Sequence, residues 1–347
     1  MADIVSSHPK ARRNRRGFVA VVALAALLLT AFAAPAAYGA GDVVRIGTLK
    51  LIGAAPLYVA LEHGYFEEEG LDVRLEYFAA AAPIAVAVAS GDVEVGATGI
   101  TAALFNSIAG GSSMYLVADR GSEQPGYHLN SLVTTREKYD AGLQTVESLK
   151  GSRIGITSLG STYHYQIGRI LELHGLSLDD VELVPLRNIS VMLEAVREGT
   201  VDAALVSPPW GAHAEEEGWG KIMFWAGDLM PYQVTGVFYS GKMRNNRDVA
   251  VRFMRAYIRG VRDYMDAAFG DDPEAKAKLV DIVHRHTDAA PDAIAQSLSY
   301  IDRDARPDVE DLMAQQDWYF RHGMISRVLQ PEEFVDLSFI EEALQGL

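Results

Sequence analysis

The sequence predicts an α/β protein made of two similar lobes, each a mostly parallel β-sheet flanked by helices. Short apolar strands alternate with helical segments from residue 43 onward, a pattern typical of parallel sheets. The same alternation recurs further along the chain at a constant spacing, as in an internal repeat. The 347 residues suffice for about two domains, and the 49% hydrophobic content supplies material for their cores.

The first 40 residues have the order of a secretory signal peptide: a basic start, an uncharged apolar run and then small residues. The apolar run covers residues 18–32, which is shorter than the roughly 20 residues that a membrane span needs. A signal peptidase could cut after Ala36 or after Gly39. Arg15 and Arg16 also resemble the twin-arginine export motif, so the export route stays open. An uncleaved signal anchor is the alternative.

Cysteine content and charge narrow the location and the partners. The chain has no cysteine, so we expect no disulfide and no lipid anchor. The exported protein is therefore expected to be soluble in the periplasm. The formal net charge is −15, and because residues 1–40 carry a net +4, the rest of the chain carries −19. Such an acidic surface argues against nucleic acid and anionic lipid as partners.

The first lobe is predicted to alternate three strands with two helices. Strands are predicted over residues 43–48, 72–78 and 93–97, and helices over 57–62 and 83–90. Proline at position 83 suits the first turn of a helix, and glycine at position 91 suits a helix end. This order predicts a parallel sheet with helices on its faces.

The repeat has a constant offset of 108 residues. Arg-Ile-Gly at 45–47 returns at 153–155, Asp-Val at 72–73 returns at 180–181, and Gly-x-Val at 91–93 returns at 199–201. Because the identities include element boundaries as well as core positions, we interpret them as a second lobe of the same topology.

The chain after residue 225 predicts one further strand and then helices. The strand covers 236–240 and is predicted to return to the first lobe, and helices with core-facing apolar stripes follow at 249–269 and 273–286. The predicted organisation is a signal peptide over 1–40, a first lobe with the C-terminal helices over 41–122 plus about 234–347, and a second lobe over 123–233.

Two open sheets of this kind predict where a ligand binds. In open α/β sheets, ligands bind outside the carboxyl ends of the strands, so the strand-to-helix loops of both lobes should face a shared cleft. A hinge motion can close such a cleft. The predicted loops are 50–55, 79–83 and 98–101 in the first lobe and 158–163, 187–190 and 207–210 in the second.

Several stretches resemble a known protein family. Residues 56–73 combine an apolar helix, Gly-Tyr-Phe, an acidic stretch, Gly-Leu and a strand. Ser-Gly-Asp-Val at 90–93 and Leu-Lys-Gly at 149–151 match two further signatures. Together they resemble the nitrate, sulfonate, taurine and thiamine-pyrimidine-precursor family of periplasmic solute-binding proteins. The likeness covers roughly residues 43–265, and scaffold residues carry it.

The resemblance implies a type II periplasmic-binding-protein clamshell that serves an ABC importer. A membrane permease and an ATPase encoded elsewhere would be its partners, because this chain lacks the phosphate-binding loop motif of an ATPase. We expect a monomer that binds a small molecule, is not an enzyme and uses no cofactor. Neither a nucleophile motif nor a metal-ligand constellation appears, and His-Arg-His at 284–286 is interpreted as a solvated helix face.

The loops supply the candidate binding residues. Ser161 or Thr162 is expected to cap a helix whose N-terminus faces the cleft and binds an anion, and Tyr163 follows them. Trp210 would form an aromatic wall, or else belong to the core. Further candidates, chosen by their place in loops or near the hinge, are Ala55, Thr98, Thr101, Asn188, Tyr232 and Thr235.

Arg120 and His128 are two additional candidates near the predicted crossing between the lobes. Arg120 could pair with a ligand anion through two hydrogen bonds, although such an arginine more often pairs with a protein carboxylate. His128 could donate or accept a hydrogen bond, although a lone histidine is more often structural.

The loops contain hydroxyl, amide and aromatic groups and no acid, so the expected ligand is a small organic anion, either a sulfonate or an aromatic carboxylate. The small loop at 79–82 suggests a roomy cleft and makes nitrate less favoured. One alternative ligand is a pyrimidine, a flavin or another thiamine-precursor-like heterocycle. Alternatives of other classes are an enzyme on the same fold and a ligand-sensing partner of a signalling receptor.

Overall fold

The computed structural model describes residues 41–347, and the predicted signal peptide lies outside the described residues. Within 41–347, no helix is both long and apolar enough to cross a membrane. Ten strands form two five-stranded sheets. The strands are β1 (Asp42–Thr48), β2 (Leu71–Tyr77), β3 (Val95–Gly99), β4 (Met114–Glu123), β5 (Ser131–Thr135), β6 (Arg153–Ile156), β7 (Glu182–Pro185), β8 (Ala203–Val206), β9 (Gly220–Trp225) and β10 (Tyr232–Ser240).

Helices connect the strands and form most of the chain after β10. Those up to β10 are α1 (Ala55–Glu62), α2 (Tyr65–Glu68), α3 (Ala81–Ser90), α4 (Ala102–Ala109), α5 (Arg136–Asp140), α6 (Thr162–Leu173), α7 (Ile189–Arg197), α8 (Trp210–Glu216) and α9 (Ala226–Leu229). The later ones are α10 (Gly241–Asn245), α11 (Arg247–Phe269), α12 (Pro273–Thr287), α13 (Pro291–Ala295), α14 (Val309–Arg321), α15 (Pro331–Phe334) and α16 (Ser338–Leu344). Short 3-10 turns cover Ile52–Ala54, Glu147–Leu149 and Leu178–Asp180.

The two sheets have the same strand order. The first is β2-β1-β3-β10-β4 and the second is β7-β6-β8-β5-β9. β1 pairs in parallel with β2 and β3, and β6 pairs in parallel with β7 and β8. β10 and β5 run antiparallel to both of their neighbours. These sheets confirm the predicted class, two lobes that are each a mostly parallel sheet flanked by helices.

The internal repeat extends to strand positions and to side-chain contacts. β5, the last strand of the first copy, lies in the second sheet, and β10, the last strand of the second copy, lies in the first. Arg45 Nε donates to Glu94 Oε2 at 3.0 Å, and Arg153 Nε donates to Asp202 Oδ2 at 3.3 Å. Each carboxylate also accepts the backbone N–H of its arginine. Positions 108 residues apart thus make the same contacts.

The long helices after β10 cover the first lobe. The predicted apolar stripe of α11 is buried and packs, with residues of α1, into one hydrophobic cluster. Phe253 and Tyr257 of α11 are almost fully buried, and the Tyr257 hydroxyl donates to the Asp119 carbonyl at 2.9 Å. This packing fixes the end of β4 where it approaches the second lobe.

Helix α14 contacts both lobes. Trp318 lies so close to Gly168 of α6 that a Cβ there would come within 2.3 Å of the indole, and its Nε1 donates to Glu172 at 2.9 Å. The Tyr319 hydroxyl lies 3.4 Å from the Ile100 carbonyl in the first lobe and 3.2 Å from the Ser161 carbonyl in the second. One C-terminal helix therefore bridges the cleft.

Some element limits differ from those predicted. The strand predicted over 93–97 is β3, which starts and ends two residues later, and the strand predicted over 236–240 begins at Tyr232. β4, β5 and β9 had no prediction. The second half of β4 is polar yet buried, so the hydropathy pattern does not reveal it. The predicted lobe limits at 122 and 234 lie near the ends of β4 and β10 and stay a prediction.

Candidate functional site

A cavity lies between the lobes, at the carboxyl ends of the parallel strands. Each of the six predicted strand-to-helix loops contributes to its lining. The cavity volume is about 70 Å³, which is small compared with typical ligand pockets of roughly 300 Å³ or more. The lining residues are Leu49, Leu51, Gly53, Ala79, Ala80, Ala81, Gly99, Arg120, Leu129, Asn130, Thr157, Thr162, Tyr163, Ile189, Ser207, Pro208, Val234 and Thr235.

Arg120 is the one charged side chain among these lining residues. It lies on β4 and is only 4% exposed, and its Nε has no hydrogen-bond partner. Burial lowers the pKa of the guanidinium, against the opposing effects of Tyr257, Tyr58 and Asp119. No carboxylate lines the cavity, so a buried cation faces it without a counter-ion among the described lining residues.

The N-terminus of α6 reaches the same cavity. Thr162 and Tyr163, the first two residues of the helix, both line it. Ser161 caps the helix, because its hydroxyl accepts the His164 backbone N–H at 3.3 Å. The remaining free N–H groups of a first turn, with the positive end of the helix dipole, attract an anion.

A row of hydrogen bonds leads from the cavity into the protein interior. The Tyr163 hydroxyl lies 2.7 Å from Ser207 Oγ, which donates to Asn130 Oδ1 at 2.7 Å. Asn130 Nδ2 donates to Gln166 Oε1 at 3.1 Å, and Gln166 Nε2 donates to Glu123 Oε1 at 2.8 Å. The row therefore joins the lining of the cavity to a carboxyl at the end of β4.

Glu123 is fully buried at the inner end of this row. Burial raises the pKa of its carboxyl to about 8, although hydrogen bonds from Gln166 and Asn130 lower it in part. Its second oxygen, Oε2, has no hydrogen-bond partner among the described residues. Burial also raises the pKa of Tyr163 to about 12, so its hydroxyl keeps its proton at neutral pH.

The lobes touch each other beside the cavity. The backbone N–H of Ala102 in the first lobe donates to the Gly160 carbonyl in the second at 2.9 Å. Gly160 has a positive φ of 73°, and a Cβ there would lie 2.8 Å from the Ala102 Cβ. The structure is therefore a closed form, in which the loop before α6 packs against the start of α4.

A larger cavity of about 640 Å³ lies beside the same crossing strands but has the opposite charge. Asp119 lines it, whereas its neighbour Arg120 lines the smaller cavity, as expected for successive residues of a strand. Carboxylates dominate the larger cavity, and the strand-to-helix loops do not reach it. It is therefore a poor candidate for an anion site.

The structure brings together four of the predicted site residues: Arg120, Thr162, Tyr163 and Thr235 all line the smaller cavity. Three others are helix caps next to it. Ser161 caps α6, Thr101 caps α4 and Asn188 caps α7, each by accepting a backbone N–H in the first turn.

The remaining predicted residues lie outside that lining. Ala55 is buried at the start of α1, and Thr98 is buried with its hydroxyl unpaired. Trp210 begins α8 and packs half-buried against the hydrophobic core. Tyr232 is buried beside the larger cavity. His128 stacks on Trp225 with ring centroids 4.2 Å apart, and its Nδ1 lies 3.1 Å from the Gln296 carbonyl.

Sequence reasoning missed three polar residues of the row. Asn130 directly precedes β5, a strand that was not predicted, and it reaches the cavity only because β5 pairs with β8 and β9. Gln166 and Glu123 are buried polar residues inside α6 and β4. Ser207 lay in a predicted loop, and its place at the end of β8 is the signal that could have singled it out.

The fold and the cavity define the class to which the chain belongs. Residues 41–284 match the NMT1-like family, so the chain is a member of that family. The two-lobed architecture is that of periplasmic binding proteins. For example, the periplasmic nitrate-binding protein NrtA from Synechocystis PCC 6803 superposes with a TM-score of 0.73 at 15% identity, over 88% of this chain and 89% of that one. These findings confirm the family resemblance and the clamshell fold.

Two sequence relatives carry names that mention anions. An Escherichia coli (strain K12) protein, provisionally named as an aliphatic sulfonates-binding protein, is 26% identical over 220 residues, or 63% of this chain and 65% of that protein. The bicarbonate transport ATP-binding protein CmpC of Synechocystis sp. is 26% identical over 260 residues, or 69% of this chain and 37% of that protein. The chain thus spans less than two thirds of either relative.

Proposed function

We propose that this protein is the solute-binding component of an ABC importer and captures a small organic anion between its lobes. The observation that carries the proposal is Arg120, a buried cation that faces the interlobe cavity without a carboxylate partner. An unpaired buried charge is unfavourable. A sulfonate or carboxylate would neutralise it and accept two charge-assisted hydrogen bonds from one guanidinium.

The start of α6 supports the same ligand charge. Thr162 and Tyr163 lie in its first turn and line the cavity, so an anion held by Arg120 would also meet the positive end of a 12-residue helix. The two features lie on different lobes. A ligand bound to both would therefore hold the lobes closed.

The rest of the lining indicates an organic body on the ligand. Leu49, Leu51, Leu129, Ile189 and Val234 are apolar and would pack against carbon rather than water. The volume of about 70 Å³ limits that body to a small one in the closed form. The cleft is narrow rather than roomy, so size gives no argument against nitrate, and the apolar lining is what favours an organic anion.

The relatives support the transport role and the ligand charge. Their names mention sulfonates, bicarbonate and nitrate, which are all anions, and one of them is a transport ATP-binding protein. By likeness, we expect this chain to work in the periplasm as a monomer, with a permease and an ATPase as partners. It would bind its ligand without transforming it and without a cofactor.

Substitution of Arg120 tests the proposal. Arg120→Met keeps an unbranched side chain but removes the cation. We expect it to weaken binding of an alkane sulfonate or an aromatic carboxylate about 30-fold or more, because loss of one partner of a buried charge pair costs about 2 kcal/mol or more. Isothermal titration of protein refolded free of ligand would measure this. Arg74→Met is the matched control, since Arg74 is exposed on β2 of the same lobe.

Two results would count against the proposal. One is unchanged anion affinity in Arg120→Met. The other is a wild-type protein that binds a neutral heterocycle such as a pyrimidine or a flavin, or an amine, and none of the anions. Hydrolysis or other turnover of a bound compound would point instead to an enzyme on this fold.

A further inference from the structure

We infer that the bound anion also carries a hydroxyl group, which donates a hydrogen bond to the Tyr163 hydroxyl oxygen. This inference rests on the proposed function, since it specifies the ligand of the same cavity. Its basis is the direction of the hydrogen-bond row from Tyr163 to Glu123, which decides where each proton points. It makes Tyr163 a specificity-determining residue that accepts a hydrogen bond rather than donating one.

The direction follows from the number of protons on each group. Asn130 Oδ1 can only accept, so the single hydroxyl proton of Ser207 points to it. Ser207 therefore has no proton left for Tyr163. The 2.7 Å contact between the two hydroxyls requires Tyr163 to be the donor. The Tyr163 proton is thus committed inside the protein.

Glu123 fixes this direction from the other end. Asn130 presents Oδ1 to Ser207 because its Nδ2 donates to Gln166 Oε1. Gln166 in turn uses Nε2 to donate to Glu123 Oε1, an oxygen that accepts whether the carboxyl is ionised or carries its proton on Oε2. A reversed row would need a donor at the position of Oε1. Glu123 is therefore a positioning residue for Tyr163.

The consequence for the ligand follows from what Tyr163 still offers. With its proton committed, its oxygen presents lone pairs to the cavity, and a buried acceptor without a donor loses free energy. The donor is a hydroxyl rather than an ammonium group, because no carboxylate lines the cavity to balance a second cation beside Arg120. The substrate class is therefore a hydroxylated sulfonate or carboxylate.

Matched ligand pairs test the inference by calorimetry on the whole protein. Each pair replaces a hydroxyl by a methyl group of similar size: 2-hydroxyethanesulfonate against propanesulfonate, and 4-hydroxybenzoate against 4-methylbenzoate. In at least one pair, the hydroxylated member is expected to bind about tenfold or more tighter to the wild type. Tyr163→Phe should bring that ratio to within about threefold of one.

Two further variants separate this role from a structural one. Tyr165→Phe removes a buried hydroxyl from the same helix but not from the cavity lining, and it should keep the wild-type ratio. Glu123→Gln supplies a donor at the inner end, so the row can reverse and the ratio should fall while Tyr163 is intact. Unfolding curves and circular dichroism verify that each variant folds.

Each outcome has a defined meaning. Equal binding of both members of every pair, or an unchanged ratio in Tyr163→Phe, overturns the inference but leaves the proposed anion function in place. Failure of all four anions to bind the wild type overturns both.

Discussion

Glu123 is a glutamate that the fold keeps fully buried at the end of β4. Burial raises its pKa to about 8 in the folded protein, whereas a glutamate in an unfolded chain titrates near about 4.3. Between these two values, the folded carboxyl is protonated and the unfolded one is ionised. The folded state then binds more protons, so the contribution of Glu123 to stability is complete below the lower value and declines as pH rises.

Glu123→Gln isolates this effect, because a glutamine cannot ionise. As pH rises from about 5 to about 8, the free energy of unfolding of the wild type should fall relative to that of the variant by more than about 1 kcal/mol. Urea unfolding at closely spaced pH values measures the difference, with Glu137→Gln on the surface as the control. A difference that does not change with pH would mean that Glu123 is ionised in the folded protein.

At the residue scale, the sequence indicates groups whose role is local. Ser161, Thr162 and Tyr163 could be proposed because helix N-termini after parallel strands face a cleft. Arg120 could be proposed as a charge near the crossing. Asn130 could not, because its contact with the cavity depends on a strand pairing between distant segments. Hydrogen-bond direction likewise exists only once the fold has brought the partners together.

At the element scale, the loop before α6 combines two functions. It places the helix N-terminus at the cavity, and through Gly160 it forms the contact between the lobes. Gly160 adopts a left-handed backbone conformation and has no room for a side chain against Ala102. Closure of the cleft therefore depends on one glycine that lies outside the cavity lining.

Gly160→Ala should separate the lobes slightly and weaken ligand binding about tenfold, because its methyl group would overlap Ala102 in the closed form. Gly175→Ala is the matched control: Gly175 has a similar φ of 75°, and a Cβ there meets nothing within 4 Å. Both variants should lose about 1 kcal/mol of stability from backbone strain. Titration calorimetry compares the affinities, and equal affinities would exclude a role for this contact in closure.

The parallel strands were predictable element by element, and the antiparallel ones were only partly so. β1 to β3 and β6 to β8 are short apolar runs next to helices, so hydropathy alone locates them. β4 contains Asp119, Arg120 and Glu123, all buried, and such a polar run is easily taken for a loop. Its partner β10 is more than a hundred residues away, beyond the reach of local patterns.

At the scale of the whole molecule, the repeat places one buried carboxylate in each lobe. Burial raises the pKa of Glu94 in part, but hydrogen bonds from Arg45 and Lys242 hold it at about 2. Asp202 is likewise held at about 2 by Arg153 and Lys138. Both carboxylates stabilise the fold above the pKa of the unfolded chain, and the contribution is lost as pH falls towards about 2.

Glu94→Gln and Asp202→Asn should each lower the free energy of unfolding at pH 7 by about 1 kcal/mol, since both side chains are partly exposed. The two residues belong to different sheets, so the double variant should lose the sum of the two within about 0.5 kcal/mol. Chemical unfolding of all four proteins measures this. A double variant no worse than a single one would show that the two pairs act as one network.

The exchange of β5 and β10 between the sheets makes the chain resemble a strand-swapped dimer of one ancestral half, joined into a single polypeptide. Neither half has a complete sheet by itself, because each borrows its reversed strand from the other. A nick in the exposed segment near residues 140–145 would leave both pieces interlocked through these strands. Opening and closing of the cleft must therefore occur by flexing of the two crossing segments, and the lobes cannot part completely while either sheet remains intact.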